Sequence, residues 1–541
     1  MPGATIVLTS DRTLMSNYHN HLFLGFAATI PKGKLPDWIY YNILCPPVEA
    51  NPDGSAKFAP YGCRKVEAAL LSSGFSREEV VVAHPDHIEE LVGPDTKIVG
   101  FTENDPLGIG PATSTFREIM GGISHMEFNL IHAIRRVRRR SRAKIVVGGP
   151  GSWQLADEET LDRLGVDYVV LGEGEKDVPL LFRRIIRGDS LPRIIHGEHL
   201  LPEEIPPILG PSVAGLVEVA RGCGRGCRFC IPAMRKLRMI PLRQIAHEVR
   251  LNLNAGKQPI LHAEDVLAYG SRGSRLNAPA VKKLFQTVLD IPGVFELSVS
   301  HFSVSSIVQA RSLLGEINEL IWRAKEDEGR TPPTRPLFYM SGQIGIETAS
   351  PRLMKQMMPG KVKPYRPEDW PSMVKECFDL LAEYRWLPCA TLILGLPGET
   401  DRDVEMTIDL VDELATHVGL LIPLFYVDIQ NRGRNSFRLH DVTPLHGELF
   451  MKCWRHTLRS VPKMLQRQML DRLSTRISRI GVQLLVQLGM HLGLRAAELC
   501  EKHYGWDLRQ MVQDLRTGRR KLLPPQPVLH IPDVLAKVTR R

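Results

Sequence analysis

Three cysteines fall inside the stretch RGCGRGCRFC (residues 221–230): Cys223, Cys227 and Cys230, spaced C-x3-C-x2-C. Thiolates this close together are ligands for a metal ion or an iron–sulfur cluster. A structural zinc site takes four protein ligands, usually as two spaced pairs, and no fourth cysteine or second C-x2-C lies nearby. Cys45, Cys63, Cys377, Cys389, Cys453 and Cys500 are scattered through helical or apolar contexts and read as ordinary packing residues. Three thiols in one loop suit a 4Fe–4S cluster with one iron left open, to which a substrate or cofactor can bind. A zinc or purely structural loop is the alternative.

The loop follows the apolar run AGLVEVA (214–220), so it sits at the carboxyl end of a strand. A helix (241–255) and a strand PILHAED (259–265) come next. Further units run through LFYMSGQIGIETAS (337–350), ATLILGLPGET (390–400) and GLLIPLFYVDIQ (419–430). This βα series is compatible with a full or partial (β/α) barrel whose active site lies on the strand carboxyl face. Before it, five apolar runs (4–10, 80–85, 97–103, 144–151 and 166–175) alternate with amphipathic patterns such as YGCRKVEAALLSSGF and SHMEFNLIHAIRRVRRR. That alternation predicts a doubly wound parallel sheet, which binds ligands at its strand carboxyl ends. The fold class is therefore α/β. We expect a first domain at 1–199, a proline-rich linker at 200–212, a barrel at 213–445 and a helical region at 446–541. Its basic tail, from about 519, is expected to pack on the surface or fray.

The 541 residues are 43% apolar and 24% charged, the make-up of an ordinary globular protein. No run is long and apolar enough to span a bilayer, and the first residues lack the basic and apolar regions of a secretory signal. Clustered cysteines without an export signal fit a reducing, cytoplasmic compartment. The formal charge of +9 is concentrated in runs such as RRVRRRSRAK (135–144), read as a solvated helix end, with a patch for an acidic partner as the alternative. No nucleic-acid fold signature accompanies the charge; neither a nucleic acid nor a membrane is expected as a partner.

The motif C-x3-C-x2-C with an aromatic residue, Phe229, before its last cysteine resembles that of the radical S-adenosylmethionine (SAM) superfamily. The resemblance covers roughly residues 213–435. HAED (262–265) stands where that superfamily has a SAM-binding segment. GIETAS (345–350) is similar to a stretch of its cobalamin-linked members, as is ILGLPGET (393–400). The resemblance implies that Cys223, Cys227 and Cys230 hold three irons while SAM chelates the fourth. It also places Phe229, Glu264, Asp265, Gln343, Glu347 and Gly395 around SAM. One electron from the cluster would then cleave SAM to a 5′-deoxyadenosyl radical, the cofactor carrying the hard chemistry. A low-potential donor such as ferredoxin or flavodoxin is the implied partner.

VVGGPGSW (146–153) and DYVVLGEGE (167–175) make the first domain resemble a cobalamin-binding domain. By that resemblance Gly148, Gly149, Ser152, Gly172, Glu173 and Gly174 approach the corrin, glycine allowing close backbone approach to a flat macrocycle. TENDPLG, with Thr102, Glu103 and Asn104, is a candidate for its lower face, and SNYHNH (16–21) for its edge. The D-x-H-x-x-G motif that supplies a histidine to cobalt in related domains is absent; HPDHIEELVG (84–93) has the residue types without the spacing. The alternative is that the glycines only make tight turns.

Together the domains resemble the cobalamin-dependent (class B) radical SAM methyltransferases, in which a substrate radical takes a methyl group from methylcobalamin. The pocket is then expected between the domains, with Tyr426 and Gln430, in FYVDIQNRGR (425–434), as candidate catalytic contacts to substrate. Residues 303–333 and the C-terminal helices lie outside the usual motifs and suggest a large substrate. A peptide or protein is one candidate. In particular, the chain is similar to archaeal methylases that modify a glutamine of methyl-coenzyme M reductase. A natural product, methylated or rearranged in its rings, is the other. Two further classes stay open. A radical SAM methylthiotransferase needs a second cysteine triad that Cys45 and Cys63 cannot make. A non-enzymatic carrier of cobalamin or metal would cleave no SAM.

Overall fold

The computed structural model describes residues 3–20, 22–231, 236–464 and 476–522; the tail beyond residue 522 lies outside them.

Six parallel strands make the first sheet: β1 (Ile6–Thr9), β2 (Val80–Val82), β3 (Ile98–Thr102), β4 (Lys144–Gly148), β5 (Tyr168–Leu171) and β6 (Ile194–His196), in the order β2-β1-β3-β4-β5-β6. Their side chains alternate with period two, and both faces are buried. Ile6, Leu8, Val146 and Val170 pack with the helices Tyr61–Ser72 and Asp177–Arg187. Val7, Val99, Ile145, Val147 and Val169 pack with His125–Arg140 on the other face. The strand order reverses between β1 and β3, so a crevice opens at the carboxyl ends there. The sequence did not signal β6, a three-residue strand that is only partly covered.

The basic run at the end of His125–Arg140 is largely used inside the domain. Arg138 reaches Asp167 at 2.6 Å and the Gly165 carbonyl at 2.8 Å, and Arg136 donates to the carbonyls of Pro85 and Asp86.

The second series has two three-stranded parallel sheets. One holds β7 (Leu216–Glu218), β10 (Ile260–His262) and β11 (Ser298–Val299). The other holds β12 (Met340–Glu347), β13 (Trp386–Leu394) and β14 (Leu420–Phe425). A parallel bridge between His301 and Gln343 joins them, with Gln343 N donating to Ser300 O at 2.8 Å. The result is an open, partial barrel of six parallel strands. A short antiparallel pair, β8 (Ala220–Arg221) and β9 (Arg238–Met239), closes the base of the cysteine loop. Within residues 303–333 the helices Val304–Gln309 and Arg311–Asp327 are the crossover from β11 to β12.

The open edge at β14 is covered, so its backbone groups are paired. Thr457, on the helix Pro444–Met464, accepts from Leu421 N at 2.9 Å and donates to its carbonyl at 2.8 Å. Thr115, on the first domain's helix Pro111–Met120, accepts from Phe425 N at 2.8 Å. The first domain is docked again through Lys65, whose ammonium lies 2.8 Å from the buried Glu248 carboxylate while Tyr61 donates to the same group at 2.7 Å. The proline-rich linker is tied to the same helix, Leu242–Asn254, by Ile208 N to Glu248 at 3.1 Å and Ser212 N to Asn252 at 2.9 Å.

Candidate functional site

The carboxyl ends of the two sheets face each other across a cavity of about 1520 Å³. That exceeds the roughly 300–1,000 Å³ usual for one small ligand. From the first sheet, Thr102, Asn104, Gly148, Gly149, Ser152, Gly172, Glu173 and Gly174 line it. From the barrel come Phe229, Cys230, Glu264, Glu347, Tyr426 and Gln430. These fourteen of the residues singled out in the sequence share one space. Glu103, Cys223, Cys227, Asp265, Gln343 and Gly395 are not on its wall.

The cysteine loop alternates handedness. Gly222, Gly224 and Gly226 have φ of 75°, 69° and 68°, while Cys223 and Arg225 between them stay at negative φ. Such alternation turns successive N–H groups into a concave nest, a shape that receives anions and iron–sulfur clusters. The loop rests on the barrel: Arg228 N donates to Met357 O at 2.9 Å, and Gln430 Nε2 donates to Arg228 O at 3.2 Å. Cys227 is buried, Cys223 and Cys230 are half-buried, and no cysteine of the chain is in a disulfide. Burial pushes the thiols of Cys223 and Cys227 up. Among the described residues no three His, Cys, Asp or Glu side chains group around one metal ion.

Glu347 stands at the end of β12, after a register shift, with φ of 64°. A non-glycine residue there is strained and persists only where its surroundings hold it. Its carboxylate is held by Lys361 and by Thr391 Oγ1 at 3.2 Å. Asp265 does not face the cavity. Its carboxylate takes Arg225 at 2.5 Å, Ser306 at 2.6 Å and Ser303 at 2.7 Å. Gln343 serves the seam between the two half-barrels. Gly395 (φ 78°) packs beneath Phe437, whose ring would lie 2.0 Å from an added Cβ.

On the first sheet the glycines serve the protein as much as any ligand. A Cβ on Gly149 (φ 100°) would lie 2.6 Å from the Glu103 carbonyl, so the strand-end loops of β3 and β4 touch there. Gly148 meets nothing closer than 3.8 Å and is free toward the cavity. Glu103 is fully buried and accepts from Asp11 N at 2.9 Å. Burial first, then the neighbouring Asp11 carboxyl, push its pKa well up.

Glu173 is an ion-pair hub. It binds Arg221 at 3.0 Å, Arg238 at 2.5 Å and His199 at 2.9 Å. Burial alone would raise its pKa; Arg238, His199 and Arg221 outweigh that and hold it at about 2. Arg221 also pairs with Glu175 and Glu218, each at 2.8 Å. This clamp joins β5 to the base of the cysteine loop, and the sequence reading did not find it. Its signal was present, because Arg221 opens the cysteine stretch and Glu173 and Glu175 flank Gly174. Arg432 (φ 54°) was also missed; it crosses between the domains to Asp157 at 2.5 Å.

No family model matches the chain. It is 28% identical over 284 residues to the ribosomal protein uS12 methylthiotransferase RimO of Chlamydia felis, covering 51% of this chain and 55% of that protein. It is 27% identical over 394 residues to an uncharacterized protein of Methanopyrus kandleri, covering 61% and 69%. The chain thus spans about half the length of the methylthiotransferases it matches. Among solved structures, it superposes with a TM-score of 0.48 and 14% identity on TsrM from Kitasatospora setae, a radical S-adenosylmethionine methyltransferase with cobalamin and a 4Fe–4S cluster bound. That match covers 78% of this chain and 72% of the other. No helix among the described residues is long and apolar enough to cross a membrane.

Proposed function

We propose that the protein is a cobalamin-dependent radical SAM C-methyltransferase. The observation that carries this reading is the shared cavity: the cysteine loop and the strand ends of the glycine-rich sheet open into one space larger than a single small ligand needs. Cys223, Cys227 and Cys230 would hold a 4Fe–4S cluster in the nest of their loop. Phe229, Glu264 and Glu347 would bind SAM beside it. Gly148, Gly172, Gly174, Ser152, Thr102 and Asn104 would seat cobalamin, with Gly149 and Glu103 shaping the floor. Together these groups would supply radical generation and a transferable methyl group.

The chain's own part is to bind, orient and exclude water. Glu347, held by Lys361 and Thr391, offers a fixed carboxylate. Tyr426 and Gln430 close the cavity from β14 and would touch the substrate. In this reading the substrate is a peptide or protein glutamine of the methyl-coenzyme M reductase type, the electron donor a ferredoxin or flavodoxin, and the compartment the cytoplasm. A methylthiotransferase reading, which the curated relatives favour, needs a second thiol cluster; Cys45 and Cys63 are both buried and isolated from a third thiol.

The test is anaerobic reconstitution with iron, sulfide and hydroxocobalamin, then desalting and metal counting. About four irons and one cobalt per chain support the reading, and labelled SAM with glutamine peptides then tests the substrate. Iron without cobalt overturns the methyl-transfer part.

A further inference from the structure

Arg225 sits between Cys223 and Cys227 and turns its side chain away from solvent into the barrel. There its guanidinium meets Asp265, at the carboxyl end of β10, at 2.5 Å and Ser303 Oγ at 3.0 Å. Asp265 is 3% exposed. One of its oxygens collects Arg225, Ser303 and Ser306; the other, Oδ1, is buried without a hydrogen-bond partner. Ser303 in turn accepts from Ser306 N at 3.2 Å, tying this cluster to the start of the crossover helix. From the other side Gly360 presses on the Arg225 carbonyl, with room for no Cβ: one would lie 2.2 Å away. The cysteine loop is therefore pinned to the barrel through the Arg225 side chain and backbone. The guanidinium cation is carried by the residue midway between Cys223 and Cys227, two positions from each. The other charges facing the thiols are Lys361, Glu347, Glu264 and Asp265.

We propose that Arg225 and Asp265 are a positioning pair that holds the cysteine loop on the barrel and sets the reduction potential of the cluster it carries. The inference rests on the cluster reading above. Reduction adds one electron, and so one negative charge, to a cluster in a poorly solvated setting, where nearby charge and hydrogen bonding set the potential. The guanidinium favours the reduced cluster and the Asp265 carboxylate disfavours it. Paired, they nearly cancel; separated, each leaves an unbalanced charge beside the thiolates.

The full-length protein and the variants Arg225→Met, Asp265→Asn and the double variant are reconstituted anaerobically. Iron and sulfide are counted, and the cluster is titrated by EPR-monitored reduction. The midpoint is expected to move to more negative values in Arg225→Met, to less negative values in Asp265→Asn, and back near the parent in the double variant. A purely structural anchor would give the same outcome, lost iron with an unmoved midpoint, for both single variants. Full iron with midpoints that do not move, or that move the same way, overturns the proposal. If Arg225→Met retains no iron, Asp265→Asn decides: a less negative midpoint supports the pair, an unmoved one overturns it. A parent chain that binds no iron overturns the cluster reading itself, and the inference with it.

Discussion

The two sheets turn their carboxyl ends to one cavity but build their sides of it differently. The barrel's side is made of side chains aimed and held. Cys230 and Phe229 come off a loop with three left-handed glycines, and Glu347 is fixed in a strained conformation by Lys361 and Thr391. The first sheet's side is made largely of glycine backbone and short polar side chains, Thr102, Asn104 and Ser152. Its glycines bring strand ends against one another, and its carboxylates are taken by protein groups: Glu103 lies against Asp11, and Glu173 on the cavity wall is paired with two arginines. A side built of aimed side chains suits ligands held by bonds; a side built of flush backbone suits a broad ligand held by shape. The difference teaches that the same strand-end position can be filled for chemistry or for surface.

The comparison is broken most sharply at the cysteines. Replacing any one of Cys223, Cys227 or Cys230 by alanine is expected to abolish stable iron uptake while leaving cobalt uptake by the first sheet intact, measured as metals per desalted chain. Loss of both together would mean that the two sides are one cooperative site. The glycines come next. Gly149→Ala forces a Cβ onto the Glu103 carbonyl at a positive φ, a cost of about 1–3 kcal/mol for the backbone alone, read as a fall in thermal midpoint. Gly148→Ala meets only ordinary contact and is expected to leave the midpoint near the parent while weakening hydroxocobalamin retention. If Gly148→Ala binds cobalamin as the parent does, the backbone of β4 is not a cofactor surface.

The barrel's side was the more legible in sequence, and for a physical reason. Its three cysteines lie in one loop, so their spacing is written locally in C-x3-C-x2-C. The parallel strands were legible too, because burial on both faces leaves unbroken apolar runs such as KIVVG. What could not be read was pairing across the chain. Asp265 has the residue type of a cofactor ligand, yet a residue 40 positions earlier, Arg225, takes its carboxylate. Glu173 stands in a glycine-rich turn like a cofactor residue and is claimed by Arg221 and Arg238. β6, β8, β9 and β11 are two or three residues long, too short to carry a period. The helices within 303–333 looked foreign only because β11 before them went unseen.

A smaller effect tests how firmly the sides are held together. Thr115→Val keeps the shape of the side chain but removes the acceptor for Phe425 N. A buried N–H left alone costs about 1–3 kcal/mol. The variant should therefore melt lower than the parent, with Thr115→Ser restoring most of the loss. Equal melting of Val and parent would show that the contact between the first domain and β14 contributes nothing to stability.

The last effect is expected at Glu173, and it is a matter of pH. Its folded pKa, about 2, lies below the ordinary glutamate value of 4.5. A carboxylate depressed on folding contributes stability that is fully present above its unfolded pKa and is lost as pH falls through the folded value. Between about pH 4.5 and pH 2 the clamp to Arg221 and Arg238 should therefore weaken progressively. Above pH 5 the Glu173 carboxylate itself should stay ionised. Glu173→Gln removes the titration and leaves two arginines facing a neutral amide, so the variant should be less stable than the parent at neutral pH and converge on it as the pH drops. Thermal melts at intervals from pH 7 to pH 3 read both curves. Because Arg221 keeps Glu175 and Glu218 when Glu173 is neutralised, the gap should be modest. A gap that stays constant down to pH 3 would mean that Glu173 acts by packing, and the charge clamp between the glycine-rich sheet and the cysteine loop would have to be given up.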